Sequence, residues 1–166
     1  MKLVPTRRTD YGLRALIFLA EHHGGLATGA EIAEGMAIPT NFLHQVLREL
    51  QRARLVTSRA SRGGGYSLAR GADAISVLDV VEALEGPIDT DECVMRGGPC
   101  QWDEVCAVHR VWSAARMALS NQLASASIAT LAGENRALSE GRLAIPEDSH
   151  RRVRAPKSTT ASRRAR

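Results

Sequence analysis

Residues 28–52 read TGAEIAEGMAIPTNFLHQVLRELQR, and the signals spaced along this stretch decide the fold. Thr28 followed three residues later by Glu31 makes a capping box, in which the hydroxyl takes the N3 amide and the carboxylate reaches back to the cap amide. It opens a short helix running through Ile32 to about Met36. Pro39 marks the start of the next helix, where a missing N–H costs little. Leu43, Val46, Leu47 and Leu50 then recur at i, i+3, i+4 and i+7, which lays an apolar stripe along one face. Two helices separated by about three residues have the spacing of a helix-turn-helix.

On the N-terminal side, Thr9 reads as the cap of a first amphipathic helix carrying Leu13, Leu16, Ile17 and Ala20 and ending at Gly24-Gly25. On the C-terminal side, Leu55 to Ser58 and Tyr66 to Leu68 read as two short strands around a tip that holds arginines and three consecutive glycines, the form of a wing. A nucleotide-binding P-loop is the rival reading of those glycines, but no Gly-Lys-Ser/Thr and no helix follow them. Ser76 and Asp79 start a fourth helix with Val77, Val80, Val81 and Leu84 on one face, stopped by Gly86-Pro87. From Ile88 to Val105 no periodicity holds, which predicts a loop. From Cys106 onward Val108, Trp112, Ala115, Leu119, Gln122 and Ala126 alternate four and three residues apart, predicting a helix roughly 30 Å long. Its apolar seam needs cover, from a twofold partner or from its own domain.

The expected fold class is therefore mainly α with a small β wing. A winged helix-turn-helix domain (1–86) is followed by a cysteine-bearing loop (87–109), a dimerisation-helix region (106–132) and a disordered basic tail (146–166).

Charge is unevenly distributed. Residues 151–166 carry seven of the 22 Lys and Arg and none of the 18 Asp and Glu, leaving residues 1–150 at a net −3. Any case for nucleic acid must then rest on where charges lie. Between His44 and Arg70 six arginines face one acid, Glu49, while Gly71 to His109 holds nine acids against Arg96. No apolar run is long enough to cross a bilayer and no signal peptide opens the chain, so a cytoplasmic protein without membrane contact is expected.

Opposite the buried stripe, the third helix presents polar residues. Thr40, Asn41, His44 and Gln45 are candidates for base edges, and Arg48 and Arg52 for phosphates. Arg59 and Arg62 on the wing would meet the backbone or the minor groove. A polar face is often merely solvated; the adjoining helix-turn-helix and arginine-tipped wing favour double-stranded DNA instead.

Cys93, Cys100 and Cys106 fall within 14 residues, and His109 follows at Cys-x-x-His. Thiolates suit iron–sulfur clusters and zinc, and imidazole suits either. On a helix, Cys106 and His109 at i and i+3 would share a face. Gly97-Gly98-Pro99 lets the intervening chain fold back. The absence of any Cys-x-x-Cys counts against a common zinc knuckle, while structural zinc or bare redox thiols stay open. A cysteine-nucleophile enzyme using Cys106 and His109 lacks an orienting third group and oxyanion donors, so no enzyme is expected.

Thr-Asp-Tyr-Gly-Leu-Arg-Ala-Leu at 9–16, Gly-Gly-Gly-Tyr at 63–66, Ile-Ser-Val-Leu-Asp-Val-Val-Glu-Ala-Leu at 75–84 and the three-cysteine segment together resemble the IscR/NsrR-type (Rrf2-type) winged helix-turn-helix regulators. The resemblance spans about Met1 to Leu131. It implies a homodimer, acting as a repressor at palindromic promoter sites. Its operator affinity would be switched by an iron–sulfur cluster on the three cysteines that senses redox, nitric oxide or iron–sulfur status. Cys-x-x-His at 106–109 is similar to the IscR pattern, implying His109 as fourth ligand of a 2Fe–2S cluster, the favoured form. Thr9-Asp10-Tyr11 is similar to NsrR, implying instead Asp10 reaching from the other subunit to a 4Fe–4S cluster. The first cysteine gap is six residues where IscR has five, a departure that bears on cluster geometry, and some relatives sense without a cluster.

Overall fold

The computed structural model describes residues 5–22, 25–60, 63–88, 93 and 106–144. In chain order these form α1 (Arg7–Glu21), α2 (Gly29–Met36), α3 (Thr40–Arg52), β1 (Val56–Arg59), β2 (Gly65–Leu68), a 3-10 turn (Ala72–Ala74), α4 (Val77–Glu85), α5 (Ala107–Ser125) and α6 (Ile128–Ser139). The fold is mainly helical with a two-stranded antiparallel wing, as the sequence predicts.

Both capping boxes form. The Thr28 amide and hydroxyl donate to Glu31 Oε2 at 2.7 and 2.8 Å, and the Glu31 amide donates to Thr28 Oγ1 at 3.3 Å. At α4 the Ser76 amide donates to Asp79 Oδ2 at 2.8 Å and the Asp79 amide returns to Ser76 Oγ at 3.0 Å. Between α2 and α3, Ala37 takes a left-handed conformation (φ 53°) and the Ile38 amide donates to the Ala33 carbonyl at 2.9 Å. That closure uses up carbonyls at the end of α2 and fixes the turn into α3.

The first helix differs from its expected limits. Thr6, not Thr9, is the N-cap, and the helix stops at Glu21 with His22 as C-cap, ahead of Gly24-Gly25. Thr9 lies inside the first turn, fully buried. Its hydroxyl and that of Thr6 both donate to the Glu85 carboxylate at the end of α4. The tertiary partner, supplied from 76 residues away, outbids the local capping role.

The α3 stripe of Leu43, Val46, Leu47 and Leu50 is buried throughout. It joins Leu16 and Leu19 of α1, Ile32, Leu55, Ile75, Val80 and Ile128 in one core. Burying each such side chain contributes about 1.5–3 kcal/mol. Helix α1 is the central rod, in contact with α2, α3, α4 and α6.

Helix α6 is absent from the sequence-based expectation, which ends the apolar seam at Ala126 and bounds one dimerisation-helix region at residue 132. The chain breaks at Ala126-Ser127 because these residues pair with the start of α4: the Val77 amide donates to the Ala126 carbonyl and the Ile128 amide to the Ile75 carbonyl, each at 2.8 Å. Ser127 then caps α6 by accepting the Thr130 amide at 3.1 Å. Ile128 and Ala132 are buried, and Asn135 Nδ2 donates to Glu21 Oε1 at 2.9 Å. In this way α6 closes the core over α1.

The wing pairs Val56 with Leu68 through Arg59 with Gly65. It is anchored to the body by a bridge in which Ala27 and Tyr66 exchange amide-to-carbonyl bonds of 2.9 and 2.8 Å. Two of the three glycines have distinct roles here. Gly63 turns the tip at φ 79°, and a Cβ on Gly65 would lie 2.6 Å from the Ala27 carbonyl oxygen.

Gly65→Ala is expected to lower stability by about 1–3 kcal/mol, because backbone must move to admit the methyl. Gly133→Ala in α6, where nothing lies within 4 Å, should stabilise by about 0.5–1 kcal/mol; paired urea denaturation curves check both signs. A second expectation concerns Glu85. Burial pushes its carboxyl upward, but the hydrogen bonds from Thr6 and Thr9 and the charge of Arg8 outweigh that, leaving it below its ordinary 4.5. A depressed folded value means the contribution is present above pH 4.5 and is lost as pH falls below it. Glu85→Gln should therefore lower the melting temperature at pH 7, and the gap to wild type should narrow steadily below pH 4.5.

Candidate nucleic-acid interface

Because α3 buries one stripe, its remaining faces are set by the helical repeat. Thr40, Asn41, His44, Gln45, Arg48 and Arg52 are all exposed. Asn41, His44, Gln45, Arg48 and Arg52 border one open groove together with Glu49, so the structure brings these sequence candidates onto a single surface. Gln45 Nε2 donates to Glu49 Oε1 at 3.5 Å.

The wing lies beside this face. Ser58, Arg59, Ala60, Gly64, Gly65 and Tyr66 form a cleft with Thr28 and Gly29 at the start of α2. Gly29 leaves room for the His44 ring, whose Cε1 would sit 3.4 Å from a Cβ at that position. Arg59 is exposed at the end of β1. Arg62 lies outside the described residues. Thr28 and Gly29 were not among the sequence candidates; the capping box marked them as a helix start, and only the Ala27–Tyr66 bridge reveals that this start faces the wing.

The cysteine segment is described in part. Cys93 and Cys106 are free and half-buried, and Cys100 lies outside the described residues. Cys106 does not lie within a helix as its i, i+3 relation to His109 implied. It is the extended N-cap of α5 (φ −72°, ψ 122°), and its carbonyl accepts the His109 amide at 3.0 Å. The two residues therefore occupy the cap and N3 positions of α5, joined by this backbone bond. Among the described residues no group of three metal-ligating side chains converges. Asp10, the alternative ligand, accepts from Arg14 Nε at 2.9 Å.

Helix α5 contrasts with the others in having no buried residue. Val108, Val111 and Leu119 are 45%, 70% and 39% exposed, and with Ala115 and Gln122 they recur three and four residues apart on one side. Within the protomer the helix leans on α4. No helix among the described residues is long and apolar enough to cross a membrane.

The sequence pattern of the family described as "Rrf2: Iron-dependent Transcriptional regulator" matches residues 5–134. The chain belongs to the Rrf2 family. Its relatives include the HTH-type transcriptional regulator IscR of Erwinia tasmaniensis, 33% identical over 127 residues that cover 76% of each chain. Among solved structures, CymR, the global cysteine regulator of B. subtilis, matches with a TM-score of 0.69 at 32% identity, covering 80% of this chain and 98% of that one. T. potens IscR matches in fold, with a TM-score of 0.64 at 24% identity over 88% of this chain and 96% of that one. As an Rrf2-family member the protein is a helix-turn-helix transcriptional regulator that binds DNA. The family consists of regulators and not enzymes, which removes the cysteine-nucleophile alternative.

Proposed function

We propose that this regulator acts in the cytoplasm as a homodimeric repressor, reads a palindromic operator through α3 and the wing, and is switched by an iron–sulfur cluster ligated by Cys93, Cys100, Cys106 and His109. The observation that carries the reading is α5: Cys106 is its N-cap, none of its residues is buried, and Val108, Val111 and Leu119 are left exposed in the single chain. A second copy placed about a twofold axis would cover these residues and present two copies of the α3 face. Half-sites would then lie about one helical turn of DNA, or a multiple, apart.

In this reading Thr40, Asn41, His44 and Gln45 meet base edges, Arg48 and Arg52 meet phosphates, and Arg59 and Arg62 follow the backbone or the minor groove. The tail, with its seven positive charges, adds sequence-independent attraction. Soft thiolates with one imidazole form a donor set that fits a 2Fe–2S cluster, and when bound the cluster would supply iron that reacts with oxidants or nitric oxide. His109 is favoured over Asp10 as fourth ligand because it sits one turn from Cys106, whereas the Asp10 carboxylate is engaged by Arg14. The cysteine segment joins the end of α4 to the start of α5. Fixing its geometry therefore fixes the DNA-binding body relative to the seam.

One observation favours a second reading. The likeness to CymR, a global cysteine regulator, together with free thiols at Cys93 and Cys106, fits a thiol-based switch on the same fold.

Val111→Glu combined with Leu119→Glu is expected to give a monomer in sedimentation experiments, with operator affinity lost and helical content kept. Dimers persisting in that variant would overturn the seam assignment. For the switch, protein purified without oxygen should contain iron and sulfide and absorb visible light. Each cysteine-to-alanine variant should lose that absorbance and change operator affinity by about 5–150-fold. His109→Ala should alter the spectrum and Asp10→Ala should not. Iron-free protein whose operator affinity responds to thiol oxidation would support the CymR-like reading instead.

A further inference from the structure

The recognition face contains an acid, Glu49, one turn after Gln45 and beside Arg48 and Arg52. A carboxylate aimed at DNA phosphates would weaken binding, so its surroundings decide whether it hinders or helps. Glu49 Oε2 is shielded from solvent. Its charge is met by Arg8 Nη2 at 3.1 Å, in an ion pair that is not an aligned hydrogen bond. The same Nη2 donates to the Leu84 carbonyl at the end of α4. Arg8 therefore spans from the first turn of α1 to the last turn of α4 and the outer face of α3. Glu49 Oε1, in turn, takes the Gln45 amide Nε2.

From this geometry we infer that Arg8 is a positioning residue for DNA reading: it holds the Glu49 carboxylate inward and, through it, sets the orientation of Gln45. With one of its two Nε2 hydrogens held by Glu49, the Gln45 carboxamide is fixed in rotation and keeps Oε1 and a second Nε2–H for the major groove. That pair accepts and donates side by side. It matches adenine, whose N6 amino group donates beside the N7 acceptor, and it mismatches base edges that lack this pair. Without Arg8 the chain is left with a carboxylate that is poorly solvated and unpaired, free to swing toward phosphate and release Gln45. Arg8 itself needs no contact with DNA.

The test starts from selection of preferred duplexes out of a random-sequence pool by the full-length protein. Affinities for the selected site and all its single-base variants are then measured for wild type, Arg8→Ala, Gln45→Ala, Arg8→Ala/Gln45→Ala and Arg8→Ala/Glu49→Gln, with melting temperatures alongside. Wild type should prefer adenine at the Gln45 position by about 2–12-fold, the size of one hydrogen bond. Arg8→Ala should erase that preference at the same base pair as Gln45→Ala, and combining the two should erase nothing more. Adding Glu49→Gln to Arg8→Ala should restore overall affinity, since the stray charge is gone. Two results would overturn the inference. One is a loss that is uniform over all sequences, with a reduced salt slope that Glu49→Gln does not relieve, which marks Arg8 as a plain phosphate contact. The other is a fall in melting temperature with every base preference intact, which marks the ion pair as structural only.

Discussion

Burial of the α3 stripe is the constraint on which the rest of the structure depends. Leu43, Val46, Leu47 and Leu50 must lie against α1 to leave water, and once they do, the helical repeat leaves Asn41, His44, Gln45, Arg48 and Arg52 nowhere to point but outward. The exposed polar face of α3 is thus a by-product of core packing. The same logic orders the neighbours of α3. The Thr28 capping box and the left-handed Ala37 fix α2 and the turn, while the Ala27–Tyr66 bridge hangs the wing on the residue just before that cap. Loop geometry on both sides of α3 is thereby pinned to backbone hydrogen bonds, leaving little to side-chain chance.

Electrostatics follows the same local rule. A body that is net negative can still present a positive face, because attraction to phosphate falls off over a Debye length of about 8–10 Å and so samples the nearest charges. On the α3 face those are Arg48 and Arg52, and the one acid there, Glu49, is answered by Arg8 from another helix. The whole-chain charge describes colloidal behaviour; the distribution along α3 and β1 sets the field that a phosphate near those elements would meet.

Legibility in the sequence tracked the range of the interactions involved. The two capping boxes, the α3 stripe and the paired wing strands are governed by neighbours within a few residues, and each stands in the structure where the spacing put it. The limits of α1, the break between α5 and α6, and the whole of α6 were missed. In each case a distant partner decides: Glu85 for Thr9, Ile75 and Val77 for the Ala126-Ser127 break, Glu21 for Asn135. The Ser127 cap was a readable local signal, hidden because the surrounding alanines and serines show no break in polarity that would divide the 106–132 region. The candidate DNA residues were legible because they are the complement of an amphipathic stripe. Arg8 was not, since no local rule pairs residue 8 with residue 49.

The ties of Thr6, Thr9 and Arg8 converge at one place. The C-terminal end of α4 holds Thr6 and Thr9 through Glu85 and Arg8 through Leu84, and Arg8 continues to the outer face of α3. Immediately beyond, Gly86 turns the chain at a positive φ and the Ile88 amide donates to Glu82 Oε1 at 3.3 Å, so the path toward the cysteines leaves α4 from a fixed start. A strain applied along that path acts first on the last turn of α4, which is bonded to the N-terminus of the central helix and, through one guanidinium, to the recognition helix. A switch mounted there has no need to reorganise the core. In the proposed reading a shift of the last turn of α4 would bear on Arg8, and packed, bistable contacts convert such shifts into discrete changes of position. In the sequence the three cysteines follow this last turn, so in the proposed reading a change at them would reach α3 through Arg8.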